Sequence, residues 1–263
     1  MRPNHVLRAW RDGGQTVGGW LSIDSAFSAE AMAHMDFDWL VIDTQHGLIE
    51  YETAIHMLLA ISTTATMPFV RVKWNDPATI MKYLDAGAYG IIVPMVNNRE
   101  EAERAVSACR YPPVGGRSFG PVRAARYAGA GYVDEANNEI ACIVMIETAE
   151  ALENLDEIMS TPGVDAAYIG PSDLAYAIGL PPSGDNNDPK HVATVERIYD
   201  AARKHGVAPG VHTNSPEFTA RWLKHGFQMV MLGSDSAFMG ALGSAQLRTV
   251  RDETGVASTG PGA

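Results

Sequence analysis

The sequence contains eight short apolar runs, most of which are followed by a stretch with the hydrophobic spacing of an amphipathic helix. The predicted strands are 17–23, 39–43, 68–72, 90–96, 140–146, 207–212 and 229–233, together with the run 164–173. Predicted helices cover 25–34, 50–61, 77–85, 99–109, 148–159, 216–224 and the residues after Ser236. Because strands that alternate with helices form parallel sheets, this order predicts an α/β fold with a single (β/α)8 TIM barrel. An open doubly wound sheet is the alternative.

Length and charge limit the possible partners. The 263 residues are 46% hydrophobic, which is enough for one large core. We therefore expect a barrel domain over 1–253, with an insertion at 111–139 and a mobile tail at 254–263. A net charge of −11 argues against nucleic acid or a membrane surface as a partner. Two cysteines and the lack of a signal peptide or transmembrane run favour a cytoplasmic location.

Acidic residues follow two consecutive apolar runs. The uncharged run 140–146 leads directly to Glu147, and the run 164–173 ends in Asp173. Neighbouring parallel strands lie about 4.8 Å apart, so the two carboxylates can converge on one cation. Carboxylates without a Cys/His cluster favour Mg²⁺ or Mn²⁺ over zinc. The alternative is that both acids only stabilise the N-terminus of a helix.

Other polar residues fall where the predicted strands end, which is the catalytic face of a TIM barrel. His46 follows strand two, and Arg71 interrupts the apolar strand three. For Arg71, the alternative is a structural ion pair with Asp43. His212, after strand seven, is expected at the rim without an assigned role. The turn 233–236 would hold an anion or, alternatively, only cap a helix.

Six motifs, in order along the chain, carry a resemblance to a known family. They are WLVIDTQHG at 39–47, FVRVKWNDP at 69–77, LDAG at 84–87, IVPM at 92–95, MIET at 145–148 and IGPSDL at 169–174. Together they resemble the HpcH/HpaI family of metal-dependent class II pyruvate aldolases. The resemblance implies a TIM barrel assembled as a homohexamer, with active sites near subunit interfaces. It also implies a 2-oxoacid and an aldehyde as small-molecule substrates.

The implied reaction is the reversible cleavage of a 4-hydroxy-2-oxoacid, such as a 4-hydroxy-2-oxoheptanedioate-like compound, to pyruvate or hydroxypyruvate and an aldehyde. The enolate would be held at a divalent metal ion, Mg²⁺ or Mn²⁺, with Co²⁺ also possible. Glu147 and Asp173 resemble the metal ligands, His46 the catalytic base and Arg71 the enolate stabiliser. Asp85 resembles an acid that tunes the His46 of a neighbouring chain.

Two further positions are implied to contact the substrate. Ser172 falls where a backbone amide of the family meets the substrate carboxylate, beside Asp173. Met145 stands where related aldolases have a substrate-contacting Gln, and Gln45 stands where they commonly have Glu before the base. These departures leave the choice of donor and acceptor open.

Three alternatives to an aldolase remain at this point. The insertion segment 116–126 is similar to that of macrophomate synthase, which implies decarboxylation and carbon–carbon bond formation. A citrate-lyase-β-like acyl-CoA lyase would share the acid pair, and a barrel that only binds a 2-oxoacid or a partner protein would need no turnover. The insertion also contains Arg117, Arg123 and Arg126, for which we form the hypothesis that they contact an acidic acceptor.

Overall fold

The computed structural model describes residues 1–258 and contains a closed barrel of eight parallel strands in sequence order. The strands are β1 (Thr16–Leu21), β2 (Trp39–Asp43), β3 (Met67–Arg71), β4 (Gly90–Val93), β5 (Ala141–Ile146), β6 (Ala166–Ile169), β7 (Ala208–Val211) and β8 (Met229–Ser234). The first strand pairs with both the second and the last. The TIM barrel prediction is therefore confirmed, and the open sheet is excluded.

Thirteen helices are present among residues 1–258. They are α1 (His5–Arg11), α2 (Ala26–Ala33), α3 (Tyr51–Ile61), α4 (Pro77–Asp85), α5 (Arg99–Cys109), α6 (Ala124–Ala128), α7 (Tyr132–Glu139), α8 (Ala149–Glu153), α9 (Leu155–Met159), α10 (Pro171–Ala177), α11 (Pro189–Lys204), α12 (Pro216–His225) and α13 (Asp235–Thr254). No helix among the described residues is long and apolar enough to span a membrane.

The helices differ from the predicted set in four places, the first of which is α1, for which no helix was predicted. The predicted helix 148–159 is divided at Asn154, whose side chain donates to the carbonyl of Asn97 at 2.9 Å. The insertion 111–139 contains α6 and α7 rather than only a loop. After β6 the chain forms α10 and then α11, which were not in the predicted set.

The barrel interior is filled by large side chains from alternating positions on the strands. Trp39 and Phe69 are fully buried and stack at 6.1 Å. A Cβ atom on Gly18 would lie 2.0 Å from the Trp39 ring, so only glycine leaves room for that indole on the neighbouring strand. All strands from β2 to β7 are buried along their whole length, because helices cover their outer surface.

The N-terminal end of the barrel is closed by α1 and its cap. The Asn4 side chain accepts from the Leu7 N–H and donates to the carbonyls of Tyr89 and Glu139, which directly precede β4 and β5. The Glu139 carboxylate accepts from the Asn4 N–H at 2.6 Å and pairs with Arg8. The polar groups of Asn4 and Glu139 therefore have hydrogen-bond or ion-pair partners although they are buried.

A second polar cluster at this end joins α5 to β5 and β6. The Arg110 guanidinium is almost fully buried and pairs with Asp165 at 2.7 Å. It also donates to the carbonyl of Ile140 at 2.9 Å. The same Asp165 carboxylate accepts from the Cys142 N–H at 2.9 Å.

The seam between the first and last strands is held by Asp235. Its carboxylate accepts from the N–H groups of Ser22 and Ile23, at 2.9 and 3.2 Å, and from the Ser28 hydroxyl at 2.9 Å. Within the turn 233–236 itself, the Ser236 N–H is bonded to Asp235 Oδ1 at 2.8 Å, so the structure gives the expected anion site no support. The alternative of a helix cap is confirmed, because Ser234 accepts from the Ala237 N–H at 3.2 Å.

The last helix leaves the barrel after its first turns. Residues 239–250 of α13 are all exposed and include Met239, Leu242, Leu247 and Val250. Of the predicted tail 254–263, Thr254 still belongs to α13, and residues 259–263 lie outside the described part of the chain.

Candidate active site

A cavity of about 290 Å³ opens at the C-terminal ends of the strands. Its lining residues are His46, Arg71, Met145, Glu147, Gly170, Pro171, Ser172, Asp173, Gly184, His212 and Asn214. Six of the seven site residues predicted from the sequence are in this group, and Asp85 is the exception. The cavity therefore lies where a TIM barrel places its catalytic residues.

Arg71 and Asp43 form a two-pronged ion pair at the base of this cavity. Their strands are in direct register, and Arg71 donates from Nε to Oδ1 at 2.9 Å and from Nη2 to Oδ2 at 2.6 Å. The Trp20 indole N–H also donates to Asp43, at 3.1 Å. Burial, the largest single influence, favours the neutral acid, but the hydrogen bond and charge of Arg71 and the bonds from Trp20 and the His46 N–H together hold the Asp43 pKa below its ordinary value.

The same carboxylate organises the loop that carries His46. Asp43 Oδ1 accepts from the backbone N–H groups of Gln45 and His46, at 3.1 and 3.2 Å, in the manner of an Asx turn. The His46 side chain is exposed at the cavity mouth. The ion pair expected as the alternative for Arg71 does exist, and Arg71 lines the cavity as well, so the structural and catalytic interpretations are compatible.

Glu147 is a buried carboxylate that no cationic side chain pairs with among residues 1–258. It is 4% exposed, and its Oε1 accepts from the Met95 N–H at 2.9 Å. Met95 has φ of 57°, a left-handed conformation that is uncommon for a residue with a side chain. Burial and then the charge of Asp173 raise the pKa of Glu147 to about 7, against the bond from Met95.

The residues present fit a hard divalent cation. A Cβ atom on residue 170 would lie 2.4 Å from Glu147 Oε2, so Gly170 keeps that oxygen accessible. Asp173, in the first turn of α10, is exposed and faces the same cavity. Within residues 1–258 no group of three or more His, Cys, Asp or Glu side chains is placed to hold a metal. Two carboxylates would therefore hold an ion such as Mg²⁺ only together with water or substrate oxygens, which is that ion's usual arrangement.

Ser172 and Met145 both line the cavity that contains these acids. Ser172 is exposed in the first turn of α10, where backbone N–H groups have no acceptor within the helix. Met145 is 2% exposed, and its methyl end lies 3.0 Å from where a Cβ of Gly170 would stand. Both predicted substrate-contacting positions thus border the space beside Glu147 and Asp173.

Asp85 lies elsewhere, at the C-terminal end of α4, which is the opposite face of the barrel from the cavity. Its carboxylate pairs with Arg117 at 2.7 Å, and the Arg117 side chain is fully buried over the rings of Tyr111 and Tyr132. The sequence predicted the His46 of a neighbouring chain as the cationic partner of Asp85. Within its own chain Asp85 already has a cation, because the insertion folds back onto α4.

The hypothesis that the insertion's arginines contact the substrate is not supported for two of them. Arg117 is committed to Asp85, and Arg123 donates to the carbonyls of Ala86 and Leu58. Neither residue lines the cavity. The insertion therefore serves, through these two side chains, to fix the segment around Asp85.

Sequence reasoning missed three residues of the cavity wall: Gly184, His212 and Asn214. Gly184 belongs to the Pro-, Gly- and Asn-rich loop 180–188, which joins α10 to α11. His212 was assigned to the rim without a role, but its ring lies inside the cavity against Trp20, with ring centroids 5.0 Å apart. The available signal was the position of His212 at the end of β7.

Comparison with known proteins identifies relatives over nearly the whole barrel. A family model described as HpcH/HpaI aldolase/citrate lyase matches residues 16–240. The hydroxypyruvate/pyruvate aldolase of Rhizorhabdus wittichii is 42% identical over 238 residues, or 90% of this chain and 95% of that one. A 4-hydroxy-2-oxo-heptane-1,7-dioate aldolase of Escherichia coli is 37% identical over 239 residues, or 90% of each chain.

A solved structure agrees with these matches. An HpcH/HpaI aldolase/citrate lyase family protein from Burkholderia cenocepacia J2315 superposes with a TM-score of 0.89 and 31% identity, over 94% of this chain and 99% of that one. Every residue that lines the cavity lies within the matched part of the sequence.

Proposed function

Because the chain belongs to the HpcH/HpaI aldolase/citrate lyase family, we propose that it is a divalent-metal-dependent class II aldolase. It is a carbon–carbon lyase that cleaves a 4-hydroxy-2-oxoacid to pyruvate or hydroxypyruvate and an aldehyde. The observation that carries this proposal is the joining of Arg71, His46 and the unpaired acids Glu147 and Asp173 in one cavity. The metal is Mg²⁺ or Mn²⁺, in keeping with the all-oxygen ligands.

The chain's own residues divide the work of the reaction. Glu147 and Asp173 would hold the ion, which supplies positive charge beside the oxygens of the oxoacid. Arg71 is fixed by Asp43 and adds a second positive charge where negative charge develops on the 2-oxo oxygen. His46, at the open side, takes the proton from the 4-hydroxyl as the carbon–carbon bond breaks. The Ser172 N–H binds the substrate carboxylate.

The direct test is release of pyruvate or hydroxypyruvate from 4-hydroxy-2-oxoacids. We expect activity with Mg²⁺, Mn²⁺ or Co²⁺ added to metal-free protein, loss with EDTA and recovery when the metal is restored. Turnover that EDTA does not affect would contradict the metal-dependent reaction. Cleavage of a CoA thioester in place of the free acid would instead identify an acyl-CoA lyase, and decarboxylation without aldol cleavage would identify a decarboxylase.

We further propose that the protein assembles as a homo-oligomer, a hexamer as in the family resemblance, and acts in the cytoplasm. The exposed apolar residues 239–250 of α13 support assembly. A groove of about 240 Å³ also leads to Asp85, between α3, α4 and the insertion. Two free cysteines, Cys109 and Cys142, fit a reducing compartment.

In this assembly the Asp85 of one chain would lie beside the His46 of the next and hold its ring in place. The two residues cannot meet within one chain, since they lie at opposite faces of the barrel. Subunit exchange between inactive His46→Ala and weakened Asp85→Asn proteins tests the idea. In some mixed oligomers, an intact His46 from one variant would meet an intact Asp85 from the other. Activity should therefore rise above that of either variant alone. No rise, with exchange confirmed by native mass spectrometry, would leave Asp85 only its ion pair with Arg117.

A further inference from the structure

Trp20, Tyr168 and His212 pack together next to the guanidinium of Arg71, and of these three His212 lines the cavity. Arg71 Cζ lies 5.0 Å from the centre of the Trp20 ring. Trp20 stacks on Tyr168 at 5.7 Å, and the His212 ring meets the edges of both. The His212 ring is therefore held in one orientation by two aromatic side chains and lies beside the group expected to bind the 2-oxo oxygen.

The hydroxyl of Tyr168 determines which nitrogen of His212 carries the hydrogen. Tyr168 is fully buried, and among residues 1–258 the only polar atom bonded to its hydroxyl is His212 Nδ1, at 3.4 Å. Burial raises the pKa of Tyr168 well above its ordinary value, so the hydroxyl keeps its hydrogen, and the assignment that gives this hydrogen a partner has Tyr168 donating to Nδ1. The hydrogen of the neutral imidazole is then on Nε2.

The Nε2–H group has no acceptor among the described residues and borders the cavity. Burial and then the nearby charge of Arg71 lower the pKa of His212 to about 3, which favours the neutral ring. His212 therefore does not act as a general base or acid in the way that His46 does. It offers the substrate one neutral, oriented hydrogen-bond donor.

We propose that His212 is a specificity-determining residue that donates from Nε2 to a hydroxyl on C3 of the 2-oxoacid donor, so that the enzyme uses hydroxypyruvate in preference to pyruvate. The proposal rests on the aldolase function above. A C3 hydroxyl accepts this hydrogen bond, whereas the methyl group of pyruvate leaves the N–H unpaired. Sites built to bond a substrate hydroxyl discriminate strongly against the analogue that lacks it.

The position of His212 favours the donor half over the aldehyde. Its ring packs against Trp20 as does Arg71, which is 9% exposed and is the group proposed to bind the 2-oxo oxygen. C3 is bonded to the carbon that carries that oxygen. His46, in contrast, is exposed at the mouth, where the proposed reaction places the 4-hydroxyl that becomes the aldehyde.

The test measures kcat/KM in the synthesis direction for hydroxypyruvate and for pyruvate with one acceptor aldehyde. His212→Leu removes the donor, His212→Phe removes it while keeping an aromatic ring, and His212→Gln keeps an N–H near the position of Nε2. We expect the hydroxypyruvate-to-pyruvate ratio to fall about 10-fold or more in the Leu and Phe variants, and Gln to restore part of it. His205→Leu is the matched control, because His205 pairs with Asp156 on the outer helices and its loss should leave the ratio unchanged.

Three outcomes would overturn the proposal. An unchanged ratio in whichever of the Leu and Phe variants folds would remove His212 from donor selection. A change seen only between a hydroxylated and an apolar aldehyde, with one donor, would assign His212 to the acceptor. If the hydroxypyruvate-to-pyruvate ratio falls as far in the Gln variant as in the Leu and Phe variants, the His212 ring contributes by packing and not by donating a hydrogen bond. If the wild-type protein condenses neither donor with any aldehyde, the aldolase function itself fails, which is a separate result.

Discussion

The two ends of the barrel use buried charge in opposite ways. At the N-terminal end, Asp165 is paired with Arg110 and accepts a backbone N–H, and Glu139 is paired with Arg8. At the C-terminal end, Glu147 is just as buried, but among residues 1–258 only the Met95 N–H bonds to it, and burial, with the charge of a second acid, raises its pKa to about 7. The first arrangement stabilises the fold. The second is unfavourable until a cation arrives, which is why an unpaired buried acid indicates a binding site.

The largest expected effect is on activity, at the C-terminal end. Glu147→Gln removes one of two carboxylate ligands while keeping the shape of the side chain. We expect metal binding to be lost and turnover to fall by more than about 10³-fold, because the positive charge at the reacting oxygens is worth several kcal/mol. Calorimetric titration with Mn²⁺ and pyruvate-release assays measure both. Tight metal binding with full turnover in this variant would place the metal site elsewhere.

The next effect should be on stability, at the N-terminal end. Arg110→Leu takes away the buried cation of Asp165 and leaves it only the exposed Arg11, 3.4 Å away, so the loss should approach the cost of a broken buried ion pair, about 3–5 kcal/mol. Turnover per folded molecule should stay near the wild-type value, because this cluster is at the other end of the strands. Urea unfolding gives the free energy, and the double variant Arg110→Leu/Asp165→Asn should recover part of it, since no buried charge remains. A loss of turnover without a loss of stability would mean that the two ends are coupled.

The pH dependence of metal-free protein should distinguish the two ends directly. The Glu147 pKa is about 7 in the folded chain, against an ordinary value of 4.5. Between these values the folded state binds more protons than the unfolded state, so stability falls as pH rises from 4.5 to 7, by on the order of 3 kcal/mol. Unfolding of EDTA-treated protein at pH 5 and pH 8 measures the fall, and the difference from Glu147→Gln isolates this group. A difference that does not change with pH would mean that Glu147 is not held in this way.

The smallest expected effect concerns Arg71. Its charge is paired with Asp43, as at the N-terminal end, and it also lines the active-site cavity. Arg71→Lys should keep an ion pair with Asp43 but lose the planar fork that holds Asp43 and the substrate oxygen together. We expect turnover to fall about 10- to 10²-fold, with metal affinity changed much less. Steady-state kinetics measure the loss of turnover, and metal titration measures the change in metal affinity. Equal turnover would leave Arg71 as a structural ion pair only.

The sequence was sufficient to predict the barrel and the residues at its strand ends. The strand 39–43 and the helices 77–85 and 99–109 were predicted with the observed bounds, because local apolar patterns and caps determine them. Arg71, Glu147 and Asp173 were found together because parallel strands bring their ends to one face. This reasoning needs only the order of the elements.

Contacts between distant segments could not be predicted. Asp85 was assigned no partner in its own chain, because nothing in the sequence indicates that Arg117 folds back over α4. The helix over 148–159 was expected to be continuous, and its division depends on a bond from Asn154 to a carbonyl in the preceding β–α loop. His212 shows the same limit, since its role follows from the ring of Trp20 and the hydroxyl of Tyr168 on other strands.

The seam at Asp235 has a consequence for how the protein is made. The first strand pairs on one side with β2 and on the other with β8, which ends at Ser234. During synthesis on the ribosome, β1 therefore keeps one open hydrogen-bonding edge until almost the whole chain has emerged. Open edges of this kind pair readily with other chains. Ser22, Ile23 and Ser28 receive the Asp235 carboxylate only when β8 arrives, so this clasp forms at the step that ends the exposure.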